Sequence, residues 1–175
     1  VCRGLIMYFW RSWVVSTLLA LSLSASGNTG ELQKCGEAQL TVLFWDIHES
    51  SLYTPTAPYL PEIQPLRLEI KYLRPIKAEN LIEQTAKEWQ AQGLRDSRHG
   101  AWLETLGALW PDVGKHDVLA LSISEDGSAA FTFNGEPLGV IEDPDFGSAF
   151  AGIWLSPKTT RPELRAALIG GTDSR

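Results

Sequence analysis

The sequence predicts an α+β fold in which a large, mostly antiparallel sheet is covered by a layer of helices, and three observations predict it. Leu66, Leu68, Ile70 and Tyr72 alternate with Arg67, Glu69 and Lys71, the period of a half-buried antiparallel strand. Leu81, Ile82, Thr85, Ala86 and Trp89, then Trp102, Leu103, Leu106 and Leu109, recur at helical spacing, so two successive amphipathic helices need a common apolar surface. Asn134-Gly135, set between apolar runs, is the strongest short hairpin signal in the chain.

In chain order, the first strand is expected from Ala38 through Trp45, and Ile47 to Tyr53 continues or pairs with it. Pro55, Pro58, Pro61 and Pro65 mark an extended surface loop. The strand from Leu66 ends at Arg74-Pro75, where proline removes a ladder donor. Gly93 is placed to close the first helix, and the second runs from Ser97 to the residues before Pro111. Val118 to Ser124, Ala129 to Asn134 and Leu138 to Ile141 form a three-strand meander, its first turn carrying Gly127. Asp143-Pro144 reads as N-cap and N1 of a third helix burying Phe146, Ala149, Phe150 and Ile153. Thr160-Arg161-Pro162-Glu163 has the form of a capping box opening a last helix through Leu164 and Leu168.

Export is expected from the N-terminal residues. Taking Met7 as the start, Arg11 supplies a positive flank and Trp13 to Leu23 an apolar core. Ser24, Ala25, Ser26 and Gly27 then offer a small-residue cleavage site. That apolar run is well short of the roughly 20 residues a membrane span requires. Residues 1–27 thus read as a signal peptide, 28–37 as a short lead-in, 38–170 as one domain and 171–175 as a tail. No stable membrane span remains after cleavage, and the expected location is the bacterial periplasm. The 175-residue chain has a formal charge of −6, and removing Arg3 and Arg11 with no acid takes it to −8. An acidic body without a basic patch excludes nucleic acid as a partner.

Chemistry-bearing patterns are sparse. Cys2 falls in the signal peptide, which leaves Cys35 alone, so there is no internal disulfide and no thiolate zinc site. Cys35 reads as a small half-buried hydrophobe. His48, His99 and His116 have no metal-ligand spacing; His48, in a strand beside Trp45 and Tyr53, reads as a structural histidine. There is no nucleophile elbow, phosphate loop or dinucleotide fingerprint, and no catalytic residue, metal or cofactor is assigned. Tyr72 and Arg74, two residues apart on one strand, are expected on one face. A core-facing Arg is costly unless paired, so Arg74 is either salt-bridged or placed to meet an anionic ligand at a pocket mouth.

The segments LTVLFWDIHESSLY, LRLEIKYLRPIKAENLIEQTAKEWQAQGL and FNGEPLGVIEDPDFGSAFAGIWLSPKTTRPELRAAL together resemble the bacterial exported branch of the chalcone isomerase-like proteins, from about Gly36 to Leu168. Gly152-Ile153-Trp154-Leu155 ahead of Pro157-Lys158-Thr159 is the most specific part. The resemblance implies an open-faced β-sandwich with a ligand cleft between sheet and helices. It does not carry the catalytic set of the plant isomerases: their Tyr, Asn and Thr positions fall near Lys77, Gln84 and Leu43. Non-catalytic relatives bind fatty acids, which needs only an apolar cleft and a cation. The expected ligand is therefore small and apolar, fatty-acid-like, with Arg74 and Tyr72 meeting a carboxylate and Trp45, Tyr53 and Trp154 lining the apolar part. The alternatives are an intramolecular lyase or isomerase using Tyr72 as acid beside Arg74, and an interaction module presenting the Pro55 to Pro65 loop.

Overall fold

A computed structural model describes residues 31–170; the expected signal peptide and tail lie outside the described residues. Among the described residues six strands form one sheet in chain order, each antiparallel to the next. They are β1 (Gln33–Val42), β2 (Trp45–Thr54), β3 (Leu66–Tyr72), β4 (Val118–Ile123), β5 (Ala129–Phe133) and β6 (Glu136–Ile141). Helices α1 (Ala78–Ala91) and α2 (His99–Leu109) are inserted between β3 and β4, while α3 (Pro144–Leu155) and α4 (Pro162–Leu168) follow β6. The α+β class and the antiparallel sheet expected from the sequence are both present.

The alternation in β3 sorts its side chains as expected. Leu66, Leu68, Ile70 and Tyr72 are buried, while Arg67, Glu69 and Lys71 are half-buried on the opposite face. Leu52, Leu119, Leu121, Ile123 and Phe131 extend the buried face across β2, β4 and β5. Truncating any one of these leucines or isoleucines to alanine would cost about 2–5 kcal/mol. The other face is polar: Arg67 bonds Glu69 at 2.8 Å and Ser122 at 3.1 Å, and Lys71 pairs with Glu49 at 3.0 Å.

The helices are fixed by their ends and by aromatic packing. Gly93 adopts φ +74°, its N–H bonding the Gln90 carbonyl while that of Leu94 bonds Trp89, the two-bond closure of a helix C-terminus. At the other end of α1, Lys77 offers no side-chain cap. Asp112 arrives from the loop before β4 instead, accepting the Ala78 N–H at 2.9 Å and pairing with Lys77 at 2.6 Å. Asp143 caps α3 as expected, accepting from the Asp145 N–H at 3.1 Å. Arg98 then bridges Asp96, Asp143 and Asp145, tying the start of α2 to that of α3, with its guanidinium 5.0 Å from the Trp102 ring centroid. Trp89 donates its indole N–H to the Ala149 carbonyl at 2.9 Å and meets Trp102 and Phe146 edge-to-face. Cys35 is half-buried and packs against the core edge, its Sγ 2.9 Å from Thr54 Oγ1.

Three expectations are corrected. β1 begins at Gln33, inside the stretch expected to be a lead-in, and its first half is an irregular edge with a bulge at Cys35. β6 starts at Glu136, and Pro137 is accommodated because β6 is an edge strand. The capping box at Thr160 does not form: Arg161 is the N-cap of α4, with no side-chain cap, and Thr160 reaches across to Glu88. The proline loop is fastened to the end of α4 by Tyr59 N–H to the Ile169 carbonyl at 3.2 Å.

Candidate functional site: an apolar cleft between sheet and helices

The buried face of the sheet is not completely filled by the helices. A cleft of about 450 Å³ remains, floored by β1 to β4 and roofed by α1, α3 and α4, within the size range of small-molecule sites. Leu40, Ile47, Ile70 and Leu119 supply the floor; Leu81, Phe150, Ile153, Trp154 and Leu164 close over it. The local cause of the floor's shape is a bulge. Leu40 pairs with His48 and Thr41 with Asp46, so Ile47 is an extra residue in β2. Two successive side chains, Ile47 and His48, thereby reach the cleft where plain alternation would supply one.

Polar groups are few and sorted by depth. His48 is buried, bonded through Nδ1 to Ser50 Oγ at 3.0 Å, and edge-on to Tyr72 with ring centroids 6.2 Å apart. Burial pushes the His48 imidazole down to about 4 and pushes the Tyr72 phenol above its ordinary value. At neutral pH this pair is therefore uncharged. Asn80, Gln84 and Glu88 lie along the cleft side of α1. Glu88 accepts from Gln84 Nε2 at 2.9 Å and from Thr160 Oγ1 at 2.6 Å, which holds the approach to α4 against α1. That approach ends in Arg161, an exposed lining residue that forms no ion pair among the described residues.

The residues expected at the site divide. Tyr72 and Trp154 line the cleft; Trp45, Tyr53 and Arg74 do not, and each departure has a geometric reason. Tyr53 is an odd number of residues from the buried Leu52 and Thr54 and sits on the polar face, opposite Lys34 and Arg67 in register. Trp45 lies at the far end of the β1–β2 hairpin, beyond the cleft, with 63% of its surface exposed. Arg74 lies two residues beyond the last residue of β3, Tyr72, so strand alternation no longer directs it. Its guanidinium rests 5.3 Å from the Trp45 ring centroid, exposed and without an ion pair among the described residues, which is neither of the two roles expected. The same placement removes the cation that the isomerase reading set beside Tyr72. Of the positions matched to the plant catalytic set, Gln84 lines the cleft, Lys77 is paired with Asp112 and Leu43 is in an exposed turn.

His48 and Arg161 are the functional candidates that sequence reasoning missed in this role. For His48 the signal was present, a histidine in a buried strand. For Arg161 the capping-box pattern drew attention to Thr160 and Glu163 instead.

The sequence pattern of the family described as chalcone isomerase-like matches residues 24–170. An uncharacterized protein of Haemophilus influenzae is 32% identical over 142 residues, covering 81% of this chain and 70% of that protein. Among solved structures, a fatty-acid binding protein of Arabidopsis thaliana superposes with a TM-score of 0.63 at 8% identity, over 79% of this chain and 87% of that one, a likeness of fold. The chain belongs to the chalcone isomerase-like family.

Proposed function

We propose that this protein is an exported, non-catalytic carrier of a small, largely apolar carboxylate of the fatty-acid kind. The observation that carries the reading is the pairing of an apolar cleft with a cation at its edge, Arg161, that forms no ion pair among the described residues. An acyl chain would displace water from Leu40, Ile70, Leu119, Phe150 and Trp154, gaining roughly 25 cal/mol for each Å² of apolar surface removed from water. Its carboxylate would meet the Arg161 guanidinium, which presents a planar fork suited to two parallel hydrogen bonds. His48 and Tyr72, both uncharged at neutral pH, suit the apolar interior and not the charged end. The name of the Arabidopsis structure concurs, as a fatty-acid binding protein of the same fold.

The test is calorimetric titration of dodecanoate at pH 7 into the wild type and Arg161→Gln. A charged hydrogen bond contributes about 1.5–3 kcal/mol, so the variant should bind at least roughly tenfold more weakly. Dodecanol, lacking the carboxylate, should bind both proteins alike. Equal dodecanoate affinity in the two proteins would remove Arg161 from the site, and no binding to either would overturn the carrier reading.

Export belongs to the same proposal and is supported by the signal-peptide pattern of residues 1–27. Protein recovered from cells by osmotic shock is expected to begin between Ser26 and Asn28. N-terminal sequencing that finds Met7 at the start of membrane-bound chains would overturn it.

A further inference from the structure

The tip of the β1–β2 hairpin carries the most exposed apolar side chains of the described residues, and they are consecutive. Leu43 is 85% exposed and Phe44 95%, flanked by the partly exposed Val42 and Trp45. Isolated exposed hydrophobes are ordinary, but four in a row at the apex of a hairpin are not. Their backbone makes the choice of residue more pointed. Leu43 adopts φ +59°, a left-handed conformation in a two-residue turn, where glycine or asparagine is the usual occupant. Leucine is unfavourable there for folding, so its presence calls for a role in contact with something else.

Chemistry changes in steps down the hairpin from that apex. Leu43 and Phe44 are purely apolar. Behind them, paired in register, come Val42 and Trp45, and the Arg74 guanidinium stacks on the Trp45 ring at 5.3 Å. Next come Thr41 and Asp46, whose side chains bond each other at 2.8 Å, so that carboxylate is already engaged. This apolar, then amphipathic and cationic, then polar sequence follows the layering of a bilayer from acyl region through phosphates to water. The indole suits the headgroup level, and a guanidinium on a long stem suits the phosphates. Pairing of β1 with β2 satisfies the backbone groups that face each other up to the turn, and the outer edge of β1 keeps its groups in water, which limits insertion to the apex and a shallow depth. A convex apex also suits a fluid surface better than it suits a flat protein face.

We infer that Leu43, Phe44 and Trp45 form a finger that inserts into the surface of a phospholipid bilayer, with Arg74 at phosphate depth. Val42, at the base of the finger, also lines the cleft, so docking in this way brings the cleft's β1 edge to the membrane surface. None of the described helices is long and apolar enough to cross a membrane, so the contact is superficial. The inference stands on the hairpin alone and does not require a fatty acid in the cleft.

The experiment uses the full chain with phosphatidylcholine–phosphatidylglycerol vesicles that contain a phospholipid bearing a photoactivatable group within its acyl chain. After irradiation, trypsin separates the finger, on peptide 35–67, from the apolar N-terminal stretch, on peptide 12–34. Fragment spectra should place label on residues 42–45. In the Leu43→Ser, Phe44→Ser double variant that label should fall about tenfold, with labelling of 12–34 and the melting temperature unchanged, because both side chains are exposed. Arg74→Glu, which leaves the apex intact, should lower it severalfold. Label confined to 12–34, or finger label equal in wild type and variants, would overturn the inference. So would a lipid-free dimer seen by sedimentation and abolished by the double variant, since the finger's partner would then be a second copy of this chain.

Discussion

Replacing Gly36 by alanine is expected to destabilise the domain by about 3 kcal/mol, the upper part of the usual range for forced overpacking. Gly36 sits in β1 opposite Leu52, just after the bulge at Cys35, and the C-terminal end of α4 lies directly over it. A Cβ built there would stand 2.1 Å from the Ala167 carbonyl oxygen and 2.7 Å from that of Leu168. Both obstacles are backbone, so no side chain can swing aside. Nor can α4 retreat freely: Leu168 is wholly buried, and the Ile169 carbonyl is held by the Tyr59 N–H. For a domain of this size the loss corresponds to a melting temperature lower by roughly 6–12 °C. Gly100→Ala is the control, since nothing lies within 4 Å of its Cβ position on α2; it should be neutral or slightly stabilising. Because α4 brings Arg161 and Leu164 to the cleft, dodecanoate binding should weaken in Gly36→Ala even well below its melting temperature. Equal melting temperatures for Gly36→Ala and the wild type would show that α4 does not rest on β1 as described.

How much of this was legible in the sequence depends on whether a local rule governed each element. The β5–β6 hairpin was legible because two-residue turns of its kind need left-handed conformations at both central residues. Asn134 and Gly135 supply them, at φ +51° and +89°. β3 and the C-terminus of α1 were legible for equally local reasons. The first half of β1 was not. Gln33, Lys34, Gly36 and Glu37 have little strand propensity, and they are in a strand because β2 offers a ladder to pair with. The N-cap of α4 was misplaced because Thr160 has a better partner in Glu88, distant in sequence.

The candidate site shows the same division. Tyr72 and Trp154 could be placed because strand alternation and helical spacing hold at those positions. For Tyr53 alternation holds and points it to the polar face, while for Trp45 and Arg74 alternation gives no guide. The bulge at Ile47 changes which residues face the cleft, and the end of β3 at Tyr72 frees Arg74 to stack on Trp45. A bulge depends on how two strands pair, which a pattern within one strand does not record. Arg161 is brought to the cleft by tertiary contacts, through Thr160 and Glu88, and nothing in its immediate neighbours marks it as a ligand-facing cation.

Lowering the pH from 7 to 4 is expected to remove about 3 kcal/mol of stability through His48 alone. The imidazole is 8% exposed in β2, and burial holds it at about 4 in the folded chain, against an ordinary 6.5. Each unit between folded and unfolded values is worth about 1.4 kcal/mol. Because the folded value is the lower one, the unfolded chain takes up a proton first as the pH falls. The stability is fully present above about 6.5, declines through the interval down to about 4 and is constant below it, where both states are protonated. The carboxylates act in a different window: Asp96, held down to about 2 by Arg98, and Asp126, held down to about 2 by Ser124, lose their contributions only below their ordinary value of 3.8. Urea unfolding at pH 7, 5.5 and 4 isolates the effect of the histidine. His48→Gln retains a hydrogen-bonding side chain near Ser50 without a titrating group, and its stability should change far less across the same interval. A wild-type slope reproduced in His48→Gln would place the titrating group elsewhere, and a flat wild-type profile would mean that His48 is protonated in the folded chain, with water reaching it through the cleft.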